Sequence, residues 1–118
     1  MEDASLEFTA LGGLPGPFIR FFVDEMSLET MCSLLDGKVR KAVAKSTFAY
    51  FDGKEMKFFE GKLDGEIAKI PAGENGWAWD KIFIAEGYSV TRGELSEEEY
   101  KKTSLLFRPV AELKEFLE

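Results

Sequence analysis

A hairpin pattern occupies the middle of the sequence, where residues 41 to 60 read K-A-V-A-K-S-T-F-A-Y-F-D-G-K-E-M-K-F-F-E. The run from Lys41 to Phe51 contains β-branched and aromatic side chains, which favour strands. Asp52-Gly53 follows this run, and Asp-Gly between two strand-like runs is a strong signal for a tight turn. We therefore predict an antiparallel strand pair, with its second strand at Glu55 to Glu60 and a further strand at Lys62 to Ile70.

The segment before the hairpin predicts a strand, a loop and a helix, in that order. Residues 1 to 8 interleave apolar and polar side chains, as a strand or a strand end does. Three glycines and two prolines between Gly12 and Pro17 then favour a loop without regular structure. Pro17 suits the first position of a helix from Phe18 to Glu25, because that position leaves its N–H unbonded in any case.

Capping patterns predict the remaining helices. Ser27 is the expected N-cap of a short helix from Leu28 to Leu35. Ser96, with Glu99 three residues later, forms a capping-box pattern for a helix that begins at the next residue. A last helix is expected to begin near Arg108, since apolar side chains recur after it with helical spacing.

The order of these elements predicts an α+β fold, with a twisted, mostly antiparallel sheet and helices packed on it. A glycine-rich loop, Pro71 to Gly76, separates the strands from the sequence W-A-W-D and from the apolar run Lys81 to Ala85. The length of 118 residues fits a single domain over residues 1–118, because domains commonly contain about 100–200 residues.

The composition excludes several kinds of active site. The chain has no His, which removes His-based general bases and His-ligated zinc. Its single Cys, Cys32, cannot form an intrachain disulfide, which favours a reducing, cytoplasmic location. What remains is carboxylate chemistry, often with Mg²⁺, or no chemistry at all.

Charge and hydropathy narrow the range of partners. The formal net charge of −7 argues against nucleic-acid binding. No stretch approaches the roughly 20 apolar residues that a membrane-spanning helix needs, and the acidic start M-E-D is unlike a signal or transit peptide. We therefore expect neither nucleic acid nor a membrane among the partners.

Five segments along the chain carry a family resemblance. They are E-D-A-S-L-E-F-T-A-L-G-G-L-P-G-P-F-I-R-F-F (Glu2–Phe22), S-T-F-A-Y-F-D-G (Ser46–Gly53), F-F-E-G-K-L-D-G-E-I (Phe58–Ile67), G-W-A-W-D-K-I-F (Gly76–Phe83) and E-G-Y (Glu86–Tyr88). Together they closely resemble the inosine triphosphate pyrophosphatase family, enzymes that remove non-standard purine nucleotides. In that family the first segment reads D-D-S-G-L or E-D-T-x-L followed by x-A-L-G-G-x-P-G, and the fourth reads G-F-G-[YW]-D-P-x-F.

The resemblance implies a scaffold, a reaction and a cofactor. The scaffold would be the α+β fold of that family. The reaction would be hydrolysis of ITP, XTP or dITP between the α and β phosphorus, which yields the monophosphate and pyrophosphate. Mg²⁺ would neutralise the polyphosphate while a carboxylate activates the attacking water. Since the family is dimeric, the resemblance also implies a homodimer.

The same resemblance assigns roles to individual residues. Glu2 and Asp3 match the family's acid pair, so both are candidate metal ligands and Asp3 is the candidate catalytic carboxylate. Trp77, Trp79 and Asp80 match the aromatic-Asp motif that holds the base. In addition, Ser104 matches the serine of the base-reading motif K-N-x-x-S-H-R.

The chain departs from the family in two functional regions. Family members begin with a strand, loop and helix that carry [ST]-x-N-x-x-K and hold the triphosphate. This chain starts at the second motif, so we expect a partial domain that lacks the N-terminal lobe. The base-reading motif appears as Y-K-K-T-S-L-L, with Leu105 and Leu106 in place of His-Arg, and leucine cannot donate a hydrogen bond to the base.

These departures leave a second function open, in which the catalytic activity is lost. The chain would then be a catalytically silent interaction or nucleotide-binding module on the same scaffold. A sheet without its neighbouring strand and helix would also expose an edge and an apolar face, which favours self-association.

Simpler roles stay open for the candidate residues. The acids at positions 2 and 3 could be solvated side chains with no metal. Trp77 and Trp79 would share one side of an extended segment and could fill the core instead of stacking on a base. Asp80 could cap a loop or pair with Lys81.

Overall fold

The computed structural model describes residues 2–51, 53–76 and 78–107, and for residues 2, 3 and 105–107 it describes the backbone alone. Within these ranges the strands are β1 Glu2–Phe8, β2 Pro15–Gly16, β3 Lys41–Phe51, β4 Met56–Ile67 and β5 Phe83–Ala85. The α-helices are α1 Ile19–Glu25, α2 Leu28–Ser33 and α3 Glu97–Phe107, and the 3₁₀ helices are Thr9–Leu11, Ala78–Ile82 and Arg92–Glu94. None of the helices in these ranges is long and apolar enough to cross a membrane.

The strands form one sheet in the order β2-β1-β3-β4-β5, and every neighbouring pair is antiparallel. The long β3–β4 hairpin pairs Lys41 with Glu66 at one end and Phe51 with Met56 at the other. The predicted hairpin and the predicted α+β class are thereby confirmed. β1 pairs with β3 along its whole length, so it lies inside the sheet and β2 forms the edge.

One continuous strand replaces two that the sequence separated. β4 runs from Met56 to Ile67, so the prediction of distinct strands at Glu55 to Glu60 and Lys62 to Ile70 is wrong. Gly61 does not interrupt the strand, because it keeps its backbone pairing in register with Ser46. A glycine weakens a strand through entropy, but it retains the backbone groups that form the ladder.

The loop after β1 is more ordered than its composition indicates. Pro15–Gly16 forms β2 and pairs with β1, so the prediction of a loop without regular structure is wrong at this point. Proline is tolerated there because β2 is an edge strand. α1 begins at Ile19 with Phe18 as its N-cap, which places Pro17 before the cap instead of at the first helical position.

Both predicted N-caps are present. The Ser27 Oγ accepts a hydrogen bond from the Thr30 N–H at 3.1 Å, and α2 begins at the next residue. The Ser96 Oγ accepts one from the Glu99 N–H at 3.3 Å, at the start of α3. The helix predicted to begin near Arg108 lies outside the described residues.

The core lies on one face of the sheet. Alternate side chains are buried along β1, at Leu6 and Phe8, and along β3, at Ala42 and Ala44, as the pleat of a strand requires. α1 and α2 contribute further buried side chains to the same core, namely Ile19, Met31 and Cys32. The two short helices therefore pack on the same core as β1 and β3.

Arg40 ties α2 to the end of β4. Its Nη2 donates to the Cys32 carbonyl at 2.8 Å. The same side chain reaches the end of β4, where Nε donates to the Ile67 carbonyl at 2.8 Å and Nη2 to the Ala68 carbonyl at 2.7 Å. These bonds add a side-chain donor to carbonyl groups at the end of a helix, where Cys32 also accepts from the Leu35 N–H at 3.2 Å, and at the end of a strand.

Cys32 is expected to react with thiol reagents only after unfolding. Its side chain is fully buried, and burial raises the pKa of the thiol from 9.0 to about 11. Because the thiolate is the reactive form, iodoacetamide at about pH 8 should label the native protein negligibly and the denatured protein completely. Mass spectrometry measures the label, and equal rates in both states would contradict the burial.

The same pKa shift predicts a pH dependence of stability. The folded thiol keeps its proton to a higher pH than the unfolded thiol does. Its contribution to stability is therefore present below pH 9.0 and is lost as the pH rises towards about 11.

Candidate functional site

Trp79 and Asp80 are buried, and both belong to the 3₁₀ helix Ala78–Ile82. From Ala78 onward the segment is not extended, so the premise that the two tryptophans share one side of a strand does not hold. Trp79 is 6% exposed and packs edge-to-face on Phe83, with ring centroids 5.5 Å apart. This is the core-filling role that the sequence left open, while Trp77 lies outside the described residues.

Gly76 allows the backbone to approach the Asp80 carboxylate closely. Its φ is +74°, a conformation that glycine adopts readily, and a Cβ at this position would lie 2.5 Å from the Asp80 Oδ2. Ala78 also has a positive φ, +53°, which is uncommon for a residue with a side chain. The turn is therefore tightly constrained around Asp80.

Asp80 is buried and is bound by two donors from distant parts of the chain. The Arg92 Nη1 donates to Asp80 Oδ1 at 3.1 Å, and the Tyr100 hydroxyl donates to Asp80 Oδ2 at 2.5 Å. Where the sequence suggested an ion pair with Lys81, the structure forms one with Arg92, 12 residues along the chain. A carboxylate that is only 3% exposed needs such partners, because an uncompensated charge in the interior is costly.

Arg92 joins Asp80 to helix α3. It is 3% exposed, and its Nε donates to Thr103 Oγ1 at 3.2 Å while its Nη2 donates to Ser104 Oγ at 2.7 Å. The guanidinium also lies over the Tyr100 ring, with Cζ 4.3 Å from the ring centroid, which is a cation–π geometry. We call these five residues the Arg92 cluster. Two predicted substrate-binding residues, Asp80 and Ser104, thus bind one guanidinium.

A capped turn holds Arg92 in place. Thr91 and Glu94 form a capping box around the 3₁₀ helix Arg92–Glu94, with the Thr91 N–H donating to Glu94 Oε1 at 3.1 Å. Gly93 packs closely on the loop after β4, where a Cβ would lie 2.8 Å from the Ala72 carbonyl oxygen. Sequence reasoning missed Arg92, although the turn that carries it shows the S/T-x-x-E pattern of a capping box.

A hydrogen bond from Tyr88 to Glu99 fixes the first turn of α3. The Tyr88 hydroxyl donates to Glu99 Oε2 at 2.6 Å, and Lys102 Nζ lies 3.3 Å from Glu99 Oε1. The bond from Tyr88, and after it the contact with Lys102, lowers the pKa of Glu99. The E-G-Y motif therefore helps to place the first turn of α3. The Arg92 cluster binds the same helix further towards its C-terminal end, at Thr103 and Ser104.

The two predicted acids occupy consecutive positions at the start of β1. The register pairs Glu2 with Phe48 and Asp3 with Thr47, and consecutive positions of a strand belong to opposite faces of the sheet. Position 2 shares the core-facing side with Leu6, and position 3 belongs to the other side. The side chains of both acids lie outside the part of the chain that the structure describes.

This register fits a magnesium ion that is held by one protein carboxylate and by the substrate. Mg²⁺ is commonly bound through one or two carboxylates together with substrate phosphates, so a single acid on one face can supply the protein donor. A site that takes Glu2 and Asp3 from the same face does not fit a regular strand. Among the side chains that the structure describes, no group of three or more Cys, Asp or Glu is placed to hold a metal ion.

An open cleft lies on another part of the surface. It has a volume of about 320 Å³, and carboxylates surround a single lysine in its lining, which includes Lys41, Asp64, Glu66, Glu86 and Tyr88. Three predicted site residues have described side chains, namely Trp79, Asp80 and Ser104, and none of them lines this cleft. The candidate site is therefore the Arg92 cluster and not this cleft.

Known proteins resemble the chain over nearly its whole length. Residues 1–116 match the Ham1 family. The chain is 38% identical to the inosine triphosphate pyrophosphatase of Yarrowia lipolytica (strain CLIB 122 / E 150) over 120 residues, which covers 99% of this chain and 63% of that protein. It is 37% identical to the dITP/XTP pyrophosphatase of Thermococcus kodakarensis (strain ATCC BAA-918 / JCM 12380 / KOD1) over 118 residues, or 99% of this chain and 64% of that protein.

A solved structure shows the same fold. The Staphylococcus aureus Ham1 protein superposes with a TM-score of 0.86 at 30% identity, over 98% of this chain and 64% of that one. The chain therefore spans 63–64% of the length of these relatives. Because the family match extends over residues 1–116 and the fold superposes over nearly all of the chain, this protein belongs to the Ham1 family.

Proposed function

We propose that this chain acts on purine nucleoside triphosphates, and that its inherited reaction is the Mg²⁺-dependent hydrolysis of ITP, XTP and dITP to the monophosphate and pyrophosphate. The names of the Yarrowia and Thermococcus relatives support this reaction. The observation that carries it for this chain is the Arg92 cluster, which brings Asp80 and Ser104 together from two different elements. The cytoplasm, which holds a nucleotide pool, is the proposed location.

Asp3 is the residue that we assign to the chemical step. It would accept a proton from the attacking water as a general base, and such positioned bases commonly contribute about 10²–10⁴-fold to a rate. Bound Mg²⁺ would supply charge neutralisation for the polyphosphate. Of the two acids proposed for the metal, the strand register allows one per face, and we place Asp3 at the phosphates and Glu2 on the core-facing side.

The base would bind at the other end of the site. Ser104 is the proposed polar contact, since it is partly exposed, and Asp80, which is 3% exposed, would support it from within the Arg92 cluster. Trp77 is the proposed stacking partner, and stacking on an aromatic ring contributes roughly 1–3 kcal/mol per base. Trp79 would support this end from the core, because its indole is buried against Phe83.

A catalytically silent nucleotide-binding or interaction module is the second candidate function. Leu105 and Leu106 favour it, because they stand where the resembled family carries the hydrogen-bond donors His and Arg. Release of pyrophosphate from ITP, XTP, ATP and GTP with Mg²⁺ separates the two candidates. Release from ITP or XTP supports the enzyme. If no substrate is turned over but ITP raises the melting temperature, the binding module is supported, since a ligand that binds only the native state must stabilise it.

We further propose that the chain forms a homodimer through the outer end of the β3–β4 hairpin. Three large apolar side chains there, which we call the hairpin patch, are more than half exposed: Phe51 62%, Met56 55% and Phe58 65%. Phe51 lies opposite Met56, and Phe58 lies opposite Ala49, so the patch belongs to one face of the sheet. Charged residues of both signs flank it, at Lys54, Glu55 and Glu60, so a second copy meets both signs of charge despite the net charge of −7.

The Phe58→Lys variant is expected to weaken this dimer. Burial of a phenylalanine side chain contributes about 1.5–3 kcal/mol, and a two-fold interface contains each residue twice, so the dissociation constant should rise by more than about ten-fold. Phe21→Lys is the matched control, because Phe21 is also 65% exposed but lies on α1. Sedimentation equilibrium measures both variants, and a parent that stays monomeric at high concentration would contradict the proposal.

A further inference from the structure

Arg92 contacts every other member of the Arg92 cluster. Its three nitrogen atoms donate separately to Asp80 Oδ1, Thr103 Oγ1 and Ser104 Oγ, and its Cζ lies over the Tyr100 ring. These partners come from two elements, the 3₁₀ helix Ala78–Ile82 and helix α3. Arg92 itself stands on a third element, so a single guanidinium sets the relative position of all three.

The burial within the cluster separates an inner from an outer layer. Arg92, Asp80 and Thr103 are 3%, 3% and 1% exposed, whereas Tyr100 and Ser104 are partly exposed. A ligand that approaches from solvent therefore meets the outer layer first, and the guanidinium lies behind it. Arg92 is thus placed to act through its partners and not by direct contact.

We propose that Arg92 is the positioning residue for the base-binding end of the site, which it forms by holding Asp80 and Ser104 in one fixed arrangement. This inference rests on the proposed function, because Ser104 is the polar contact assigned there to the purine base and Asp80 supports it from within the cluster. The ligand that would sense the arrangement is the purine ring of a nucleoside triphosphate.

The chemistry of the guanidinium explains why Arg, and not simply a positive charge, is needed at this position. The planar fork presents several N–H donors in fixed directions, and its plane stacks on an aromatic face. A lysine ammonium at the same position keeps the charge beside Asp80, but it cannot bond Asp80, Thr103 and Ser104 in that geometry while it stacks on Tyr100. Arg92→Lys therefore removes the positioning while it keeps the charge.

Arg40 offers a matched control for this substitution. It is also a largely buried arginine, but it donates to three backbone carbonyls at the ends of α2 and β4 and to the exposed Asp36 carboxylate at 3.4 Å. Arg40→Lys should destabilise the fold without altering the arrangement of Asp80 and Ser104. A comparison of the two variants separates the loss of positioning from a general loss of stability.

The test measures the dissociation constant of the ITP analogue whose α–β bridge is a methylene group, with Mg²⁺, by calorimetry at a temperature where all variants are folded. Arg92→Lys is expected to raise this constant roughly ten- to a hundred-fold, by analogy with the loss seen when the residues that orient metal ligands are replaced. Arg40→Lys should leave it unchanged. In a Ser104→Ala background, Arg92→Lys should have a smaller effect, because Arg92 acts through Ser104.

Each outcome bears on a different statement. If the parent binds the analogue and Arg92→Lys binds it equally well, the positioning role is wrong while the proposed function stands. A loss of equal size in Arg40→Lys, or full additivity with Ser104→Ala, likewise overturns the positioning role. Failure of the parent to bind the analogue overturns the proposed function, and with it this inference.

Discussion

Replacement of Arg92 with methionine is expected to lower the free energy of unfolding by about 3–5 kcal/mol, because it leaves a buried carboxylate without its cation. Asp80 is 3% exposed and receives the Arg92 Nη1 at 3.1 Å, so the variant keeps a desolvated charge in the interior. Ser104 and Thr103 lose the same donor. Urea-induced unfolding followed by circular dichroism measures the change.

An exposed ion pair of the same chain provides the control for this variant. Lys101 Nζ lies 3.4 Å from Glu97 Oε1, but the two side chains are 73% and 86% exposed. Lys101→Met should therefore change the stability by less than about 1 kcal/mol. The double variant Arg92→Met with Asp80→Asn should be more stable than Arg92→Met alone, since the unpaired charge is gone. If Arg92→Met is as stable as Lys101→Met, the buried ion pair does not exist in solution.

Replacement of Asp3 with asparagine is expected to reduce the rate of pyrophosphate release from ITP by roughly a hundred- to ten-thousand-fold, the usual contribution of a positioned general base. Asparagine keeps the size of the side chain and removes the proton acceptor. Glu2→Gln should reduce the rate much less, because position 2 belongs to the opposite, core-facing side of β1. Both rates are measured with a coupled pyrophosphate assay at saturating Mg²⁺.

Asp3→Asn and Glu2→Gln are matched controls. Each removes one carboxylate, and the two positions are adjacent on β1. Their melting temperatures should be similar, so a difference in rate reports the chemistry and not the fold. Equal losses in both variants would show that the site does not lie on one face of β1. A larger loss in Glu2→Gln would move the catalytic role to the core-facing side.

Local signals in the sequence predicted most of the fold. The hairpin of β3 and β4 follows from strand-forming side chains on both sides of Asp52-Gly53, and α2 and α3 begin where Ser27 and Ser96 cap them. These features depend on neighbouring residues, so a sequence pattern can record them. The sequence predicted two strands separated at Gly61 where the structure has one. Continuous pairing with β3 outweighs the weak intrinsic strand preference of one glycine.

The candidate site was less predictable because its contacts join distant residues. The ion pair of Asp80 and Arg92 spans 12 residues, and no local pattern states which cation will meet a given acid. The position of Trp79 depends on a 3₁₀ helix with a positive φ at Ala78, which the apolar sequence around it does not indicate. Only the resemblance to a family pointed to Asp80 and Ser104, and it gave no role to Arg92.

The most direct test of the proposed function identifies the products that form from ITP. Hydrolysis between the α and β phosphorus yields IMP and pyrophosphate, whereas removal of the terminal phosphate yields IDP and inorganic phosphate. ITP is incubated with the parent chain and Mg²⁺, and phosphorus NMR resolves the products. Equal amounts of IMP and pyrophosphate, formed only with Mg²⁺, are the predicted result. Unchanged ITP, or IDP with inorganic phosphate, would contradict the proposed function.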